Sequence, residues 1–173
     1  IAGDPLIEKV NYMIESYDTK MEEVRAGSDP NQMIKNPKEP GDEGFSLARF
    51  AIHSEDIDGL KMLLEKGANP NQAILVGKCG HSLLADAAHT KNIDALKLLL
   101  SFDADINLVG TRENCIDPDN GAIWRSDTPI IAAAREGYSD IVKILLAAGA
   151  DPYKVNSVEE NAFEVTTPEC AKL

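Results

Sequence analysis

The sequence predicts an all-α fold in which short helix-turn-helix units stack into a solenoid with extended finger loops. Three observations carry this expectation. A helical unit of fixed length recurs, because the ends of Ser46–Asn71, Ser82–Asn107 and Thr128–Tyr153 are each separated by the same 25 positions. The first residues of these units lie 36 and 46 positions apart, and Asn161 follows Thr128 by 33, so the helices are constant while the connecting loops vary. Each unit also carries an apolar stripe at helical spacing that a lone helix pair cannot cover, so each needs a neighbour.

In chain order, residues 1–31 read as an N-terminal capping helical unit. Asp4-Pro5 sets a cap before a first-turn proline. Leu6, Val10, Met13, Tyr17 and Val24, with Met21 beside them, repeat at spacings of three and four, and Gly27 ends the run. GSDPNQMI at 27–34 echoes GANPNQAI at 67–74, so the segment finishes like a repeat. Glu22 and Glu23 nevertheless stand where the other units carry leucines. The segment therefore reads as either a helix pair or one long helix, with the polar outer face that the end of a repeat stack needs.

Residues 32–43 form a proline-rich charged loop before the first full repeat, 44–72. The second repeat is 80–107, and in the loop before it Ile74-Leu75-Val76 suits a hairpin arm. The longest loop, 108–127, exceeds the basic period by 13 residues and precedes the third repeat, 128–155. A long insertion in a compact array is a place to look for function. In the third repeat Thr128 caps the first helix and Pro129 occupies its first position. Ile130, Ala133 and Ala134 form a small-residue face, and Gly137 ends that helix. Asp140 sits in the first turn of the second helix, where the dipole favours an anion. Ile141, Val142, Ile144, Leu145 and Leu146 supply its apolar stripe, and Gly149 ends it. Residues 156–173 form a partial C-terminal repeat, in which Asn161–Val165 opens a first helix and Thr167-Pro168-Glu169 suggests another cap.

The stretches TPIIAAA at 128–134, IVKILL at 141–146 and GADP at 149–152 resemble the ankyrin repeat. The likeness covers Gly44 to about Val165, so 1–173 reads as a single ankyrin-repeat domain. Some positions depart from the family. Arg49, Ala85 and Ile131 replace the histidine of the opening motif, Glu55 and Lys91 the glycine between helices, and Asp103 the terminal glycine. A non-glycine residue forced to positive φ costs about 1 kcal/mol.

The resemblance implies a non-catalytic protein–protein interaction module that presents a concave face and finger loops to a protein partner. The family's binding face maps onto His53, His81 and His89, with Arg135 at the histidine place of the third repeat. By register the finger tips carry Asp42 and Glu43, then Lys78 and Cys79, then Trp124 and Arg125. Trp124 has two readings: a hot-spot contact, or an anchor that pins the 108–127 loop. The candidate binding set is His53, Lys78, His81, His89, Trp124, Arg125 and Arg135. An alternative makes the chain the targeting fragment of a larger enzyme, or of an effector that intracellular bacteria deliver into host cells. Its start at Ile1 and its short last unit are compatible with that.

Net charge is −12, with −5 over residues 1–45, −4 over 46–150 and −3 over 151–173. Such a chain repels phosphate backbones, which argues against nucleic acid and for a partner with a basic surface. No apolar run approaches the roughly 18 residues of a membrane span. Cys79, Cys115 and Cys170 are odd in number and lack metal spacing, which points to reduced thiols and a cytoplasmic setting, the host cytoplasm for an effector. A monomer is expected, with no cofactor and no metal. Ser46 in GFSLA holds a cap position and not a nucleophile elbow. Asp117–Gly121 reads as a turn and not a calcium loop. Gly77-Lys78 lacks the rest of a phosphate loop, and no HExxH or paired CxxC occurs.

Overall fold

The computed structural model describes residues 3–35, 44–76, 79–110, 115–116 and 123–168, and for 73–76, 79, 115–116 and 123–124 the backbone alone. It has the all-α repeat solenoid fold class, with eight helices and three short hairpins among the described residues. The chain forms two compact units, Ile1–Asn69 and Pro70–Leu173.

In the first unit the N-terminal segment is one long helix, α1 (Pro5–Arg25), and not a helix pair. Asp4 caps it by accepting from the Leu6 N–H at 2.9 Å, and Pro5 follows at a position whose N–H is not needed. The apolar seam divides along its length. Tyr17, Met21 and Val24 are buried, while Leu6, Val10 and Ile14 are exposed. β1 (Met33–Ile34) and β2 (Phe45–Ser46) pair antiparallel and lead into α2 (Leu47–His53) and α3 (Ile57–Glu65). The Tyr17 ring stacks on Phe50 with centroids 4.6 Å apart, and its hydroxyl donates to Asp56 Oδ2 at 2.8 Å. This bond ties α1 to the N-cap of α3.

The second unit opens with β3 (Ala73–Val76) paired to β4 (Cys79–Ser82), so Ile74-Leu75-Val76 is a hairpin arm as expected. Then come α4 (Leu83–His89), α5 (Ile93–Ser101), the hairpin β5 (Cys115–Ile116) and β6 (Ile123–Trp124), α6 (Pro129–Arg135), α7 (Ser139–Ala147) and α8 (Ala162–Val165). Alanines on the first helices let backbones approach closely, so α4 packs on α6 and α6 on α8. Leu83, Leu84, Ala87, Ile130, Ile131 and Ala133 are fully or nearly fully buried in these contacts. Leu96, Leu99, Ile141 and Leu145 close the layer from the second helices.

The caps recur as the register requires. Ser46, Ser82 and Thr128 accept from the N–H groups of Arg49, Ala85 and Ile131 at 3.1, 3.0 and 3.4 Å. Glu55, Lys91 and Asp103, which stand at the family's glycine places, take φ of 58°, 58° and 59°. The turns therefore keep glycine's left-handed backbone without glycine. Asn161 and Glu164 form a capping box on α8. Thr167 and Pro168 start no helix among the described residues, and Glu169 lies outside them.

A side-chain ladder links successive units. Asn71 Oδ1 accepts from the Asp105 N–H at 2.7 Å, and Asn107 Oδ1 from the Asp151 N–H at 2.8 Å. Within the first unit, Asn31 accepts from the Asn69 N–H at 2.8 Å. Tyr153 holds the equivalent place after the third repeat, and its side chain is 71% exposed. Asn107→Ala should lower stability by about 1 kcal/mol, read from urea unfolding, because the Asp151 amide loses its acceptor. Tyr153→Ala should change stability by less than about 0.5 kcal/mol in the same assay.

Candidate functional site

The finger of the second unit is held by backbone contact. A Cβ on Gly110 would lie 1.6 Å from the Gly80 carbonyl oxygen, so only glycine permits this approach. The Ser126 hydroxyl donates to the same carbonyl at 2.7 Å, and Ser126 is buried. The chain entering the 108–127 insertion and the chain leaving it are therefore both fixed on β4. Between these anchors, β5 and β6 pair Cys115 with Trp124 and Ile116 with Ile123.

This register corrects one expectation. Trp124 stands on the arm of the third hairpin and Arg125 just beyond its base, and neither is at the tip. The pairing brings Trp124 opposite Cys115. Asp42, Glu43, Lys78 and the Asp117–Gly121 turn lie outside the described residues.

Below the hairpin lies a polar cluster. Arg135, at the end of α6, donates from Nε to Asp127 Oδ2 at 3.0 Å and from Nη2 to Asp127 Oδ1 at 3.2 Å. The same Nη2 donates to Glu160 Oε2 at 2.9 Å. Asn156, 4% exposed, donates from Nδ2 to Asp127 Oδ1 at 2.7 Å and to Glu160 Oε2 at 3.0 Å. Its Oδ1 accepts from the Val158 and Glu160 N–H groups, which fixes the loop before α8. Arg125 Nε approaches Glu160 Oε2 at 3.6 Å, with 43% of its side chain exposed. Burial works against the Arg135 charge, but its bonds to Asp127 and Glu160 outweigh this and raise its pKa. The Arg135 bond in turn holds the Glu160 carboxyl below its usual range, against burial and with help from Asn156.

The other expected site residues sit as follows. His81 is on β4, opposite Ile74, and is half-buried. His89 ends α4 and is largely exposed, with Nδ1 3.1 Å from Glu136 Oε1. Beside it the Lys91 ammonium lies 5.1 Å from the centre of the Tyr138 ring and 3.9 Å from Asp140. His53 ends α2 in the first unit, exposed, with its ring edge-on to Phe45 at 6.2 Å. The structure thus brings Arg125 and Arg135 together through Glu160, and sets His89 against Glu136.

The sequence does not show that Asp127, Asn156 and Glu160 gather around Arg135. They lie 8, 21 and 25 residues away from it. Nothing in the periodicity couples Asp127 to residues past the third repeat. Glu159, at φ 64°, was also unforeseen.

Among the described residues no three His, Cys, Asp or Glu side chains are grouped to hold a metal ion. None of the helices there is long and apolar enough to cross a membrane. A family model of ankyrin repeats, in 3 copies, matches residues 49–156, well over half of the chain. No curated protein matches it.

Proposed function

The chain belongs to the ankyrin-repeat family, and from that premise we propose that it binds a protein partner through the hairpin side of its repeats, with the 108–127 insertion setting specificity. Ankyrin repeats are generally protein–protein interaction modules and are typically non-catalytic. The observation that carries this reading is the double anchor of the insertion. Gly110 packs on Gly80 and Ser126 bonds to the Gly80 carbonyl, so both ends of the insertion are positioned before any partner arrives. Preorganisation of this kind leaves little entropy to lose on binding.

Within this reading Trp124 and Arg125 supply the principal contacts. His53, Lys78, His81 and His89 extend the surface. Arg135 holds Glu160, which is the carboxylate that Arg125 approaches, so Arg135 positions more than it touches. A chain of net charge −12 suits a partner with a basic surface, and Arg125 then contributes through planar stacking and hydrogen bonding more than through charge. The protein acts as a monomer in this scheme.

The test is affinity capture from the source cells with the unmodified chain and with a Trp124→Ala, Arg125→Ala variant. Loss of two hot-spot side chains should weaken a captured partner by roughly 30-fold or more. The melting temperature should stay within about 2 °C, since Arg125 is exposed and surface changes cost little. An unchanged set of partners would move the site away from this hairpin. A large fall in melting temperature would assign Trp124 to anchoring the loop.

A further inference from the structure

The first half of α1 offers a second surface, which shares only His53 with the hairpin side. Among the described residues, Leu6, Ile7, Val10 and Ile14 are 67%, 58%, 46% and 45% exposed. They are not scattered. Residues 6, 10, 14, 17, 21 and 24 follow helical spacing, so Leu6, Val10 and Ile14 continue the stripe that Tyr17, Met21 and Val24 bury. The reason the stripe is half covered is length. α1 has 21 residues and spans roughly 31 Å, whereas α2 has 7 and spans roughly 10 Å. α2 reaches only the lower part of the seam.

Where the cover stops there is an open groove of ≈ 460 Å³. Its floor is Val10, Ile14 and Tyr17 of α1 with Phe50 of α2. Its rim holds the carboxylates of Asp18 and Asp56 with Ser54 and the His53 imidazole, and no lysine or arginine lines it. Asp56 is already committed, to the Tyr17 hydroxyl and to the Gly59 N–H. Asp18 is exposed on the next turn of α1 and faces whatever enters.

We propose that this groove docks an amphipathic helix of a partner protein whose apolar face is flanked by lysine or arginine. The seam presents side chains at i, i+4 and i+8, the spacing that a facing helix fills ridge into groove. A cation beside the apolar face would meet Asp18 at the edge of a low-dielectric floor, where a carboxylate would be repelled. A second copy of this chain fits less well, because its own α1 would bring Asp18 and Glu22 against the same acidic edge. The proposal does not depend on the hairpin surface.

The test uses the full chain and two synthetic helices of about 14 residues with the same leucine face, one carrying lysine on its flanks and the other glutamate. Binding is measured by calorimetry at physiological salt. The lysine helix should bind at least about tenfold more tightly than the glutamate helix. Ile14→Ser and Val10→Ser should each weaken it by about tenfold with the melting temperature unchanged, since both side chains are exposed. Asp18→Asn should weaken it about threefold. The Trp124→Ala, Arg125→Ala variant should bind it normally, so that failure of the hairpin surface and failure of this one are told apart.

Four results would overturn the proposal. The first is no binding of the lysine helix. The second is equal binding of that helix to Ile14→Ser and to the native chain, which would reduce the effect to attraction by net charge. The third is equal binding of the two helices. The fourth is a dimer in sedimentation that Ile14→Ser abolishes, which would give the seam to a second copy.

Discussion

Gly59→Ala should destabilise the first unit by about 2–3 kcal/mol, against the usual sign of that change. Replacing glycine by alanine in a helix ordinarily gains about 0.5–1 kcal/mol. Gly59, in the first turn of α3, is buried where the new methyl would lie 2.1 Å from Asp56 Oδ2 and 2.7 Å from the Tyr17 hydroxyl. Both oxygens of Asp56 are in use, Oδ1 by the Gly59 N–H and Oδ2 by Tyr17, each at 2.8 Å. To admit a methyl the carboxylate must swing, and both bonds are lost together. The Tyr17 oxygen is then left inside the unit without its acceptor.

A double-mutant cycle isolates the cause. Tyr17→Phe alone should cost about 1 kcal/mol, and Gly59→Ala should cost less in the Tyr17→Phe background because one of the clashing atoms is gone. Additive losses would show that the clash is with Asp56 alone. A rise in stability for Gly59→Ala in the native background would remove the account altogether. The phenol also sets a limit at high pH. Burial pushes the Tyr17 pKa up, and the bond to Asp56 pushes it further. The folded chain therefore keeps a proton that the unfolded chain releases from about pH 10. Stability should decline as pH rises above that point, and Tyr17→Phe should decline less.

The parts of this fold that were legible in the sequence are those set by local chemistry repeated in register. Ser46, Ser82 and Thr128 are caps because a hydroxyl before a helix satisfies its free N–H groups, and three copies at one position leave little room for another role. Glu55, Lys91 and Asp103 could be expected at positive φ because the turns they occupy are fixed by the helices on either side. The asparagine ladder was present in the sequence, as Asn31, Asn71 and Asn107 at one register position, although an acceptor across repeats can be recognised only once the stacking is known.

What remained hidden is of two kinds. Arg135 could be placed at the histidine position of its repeat, but its bonds run to Asp127 and to Glu160 beyond the last full repeat, where Asn156 bonds the same two carboxylates. Periodicity has no power there, because Asn156 and Glu160 belong to a segment with no equivalent in the other units. The length of α1 was likewise open. Its seam suited one helix or two, and the choice rests on whether the chain breaks near its middle, where neither glycine nor proline stands. The consequence for function is direct, since the unbroken helix outreaches α2 and leaves the groove open.

Asp127→Ala should be the most costly change in the second unit outside its apolar core, at about 2–3 kcal/mol, or a fall in melting temperature of roughly 6–10 °C. Asp127 is 7% exposed and, among the described residues, alone binds Arg135 through two nitrogens. Without it the guanidinium keeps the Glu160 bond alone, and the Asn156 amide loses its 2.7 Å acceptor within the unit. A charge left partly desolvated is more expensive than the pair was worth, so Arg135→Met combined with Asp127→Ala should recover part of the loss. Glu160→Gln should cost less, about 1 kcal/mol, because Glu160 is more open to solvent and the amide retains a carbonyl acceptor. Its pH dependence separates charge from geometry. The folded pKa of Glu160 lies below its ordinary value. Its contribution is therefore complete above the unfolded pKa of about 4.3 and fades as pH falls through the lowered folded value. The stability gap between the native chain and Glu160→Gln should stay level from neutrality to about pH 5 and close below it. A gap that persists undiminished into strong acid would mean that Glu160 braces Arg135 by shape alone, and the platform beneath Arg125 would not depend on its charge.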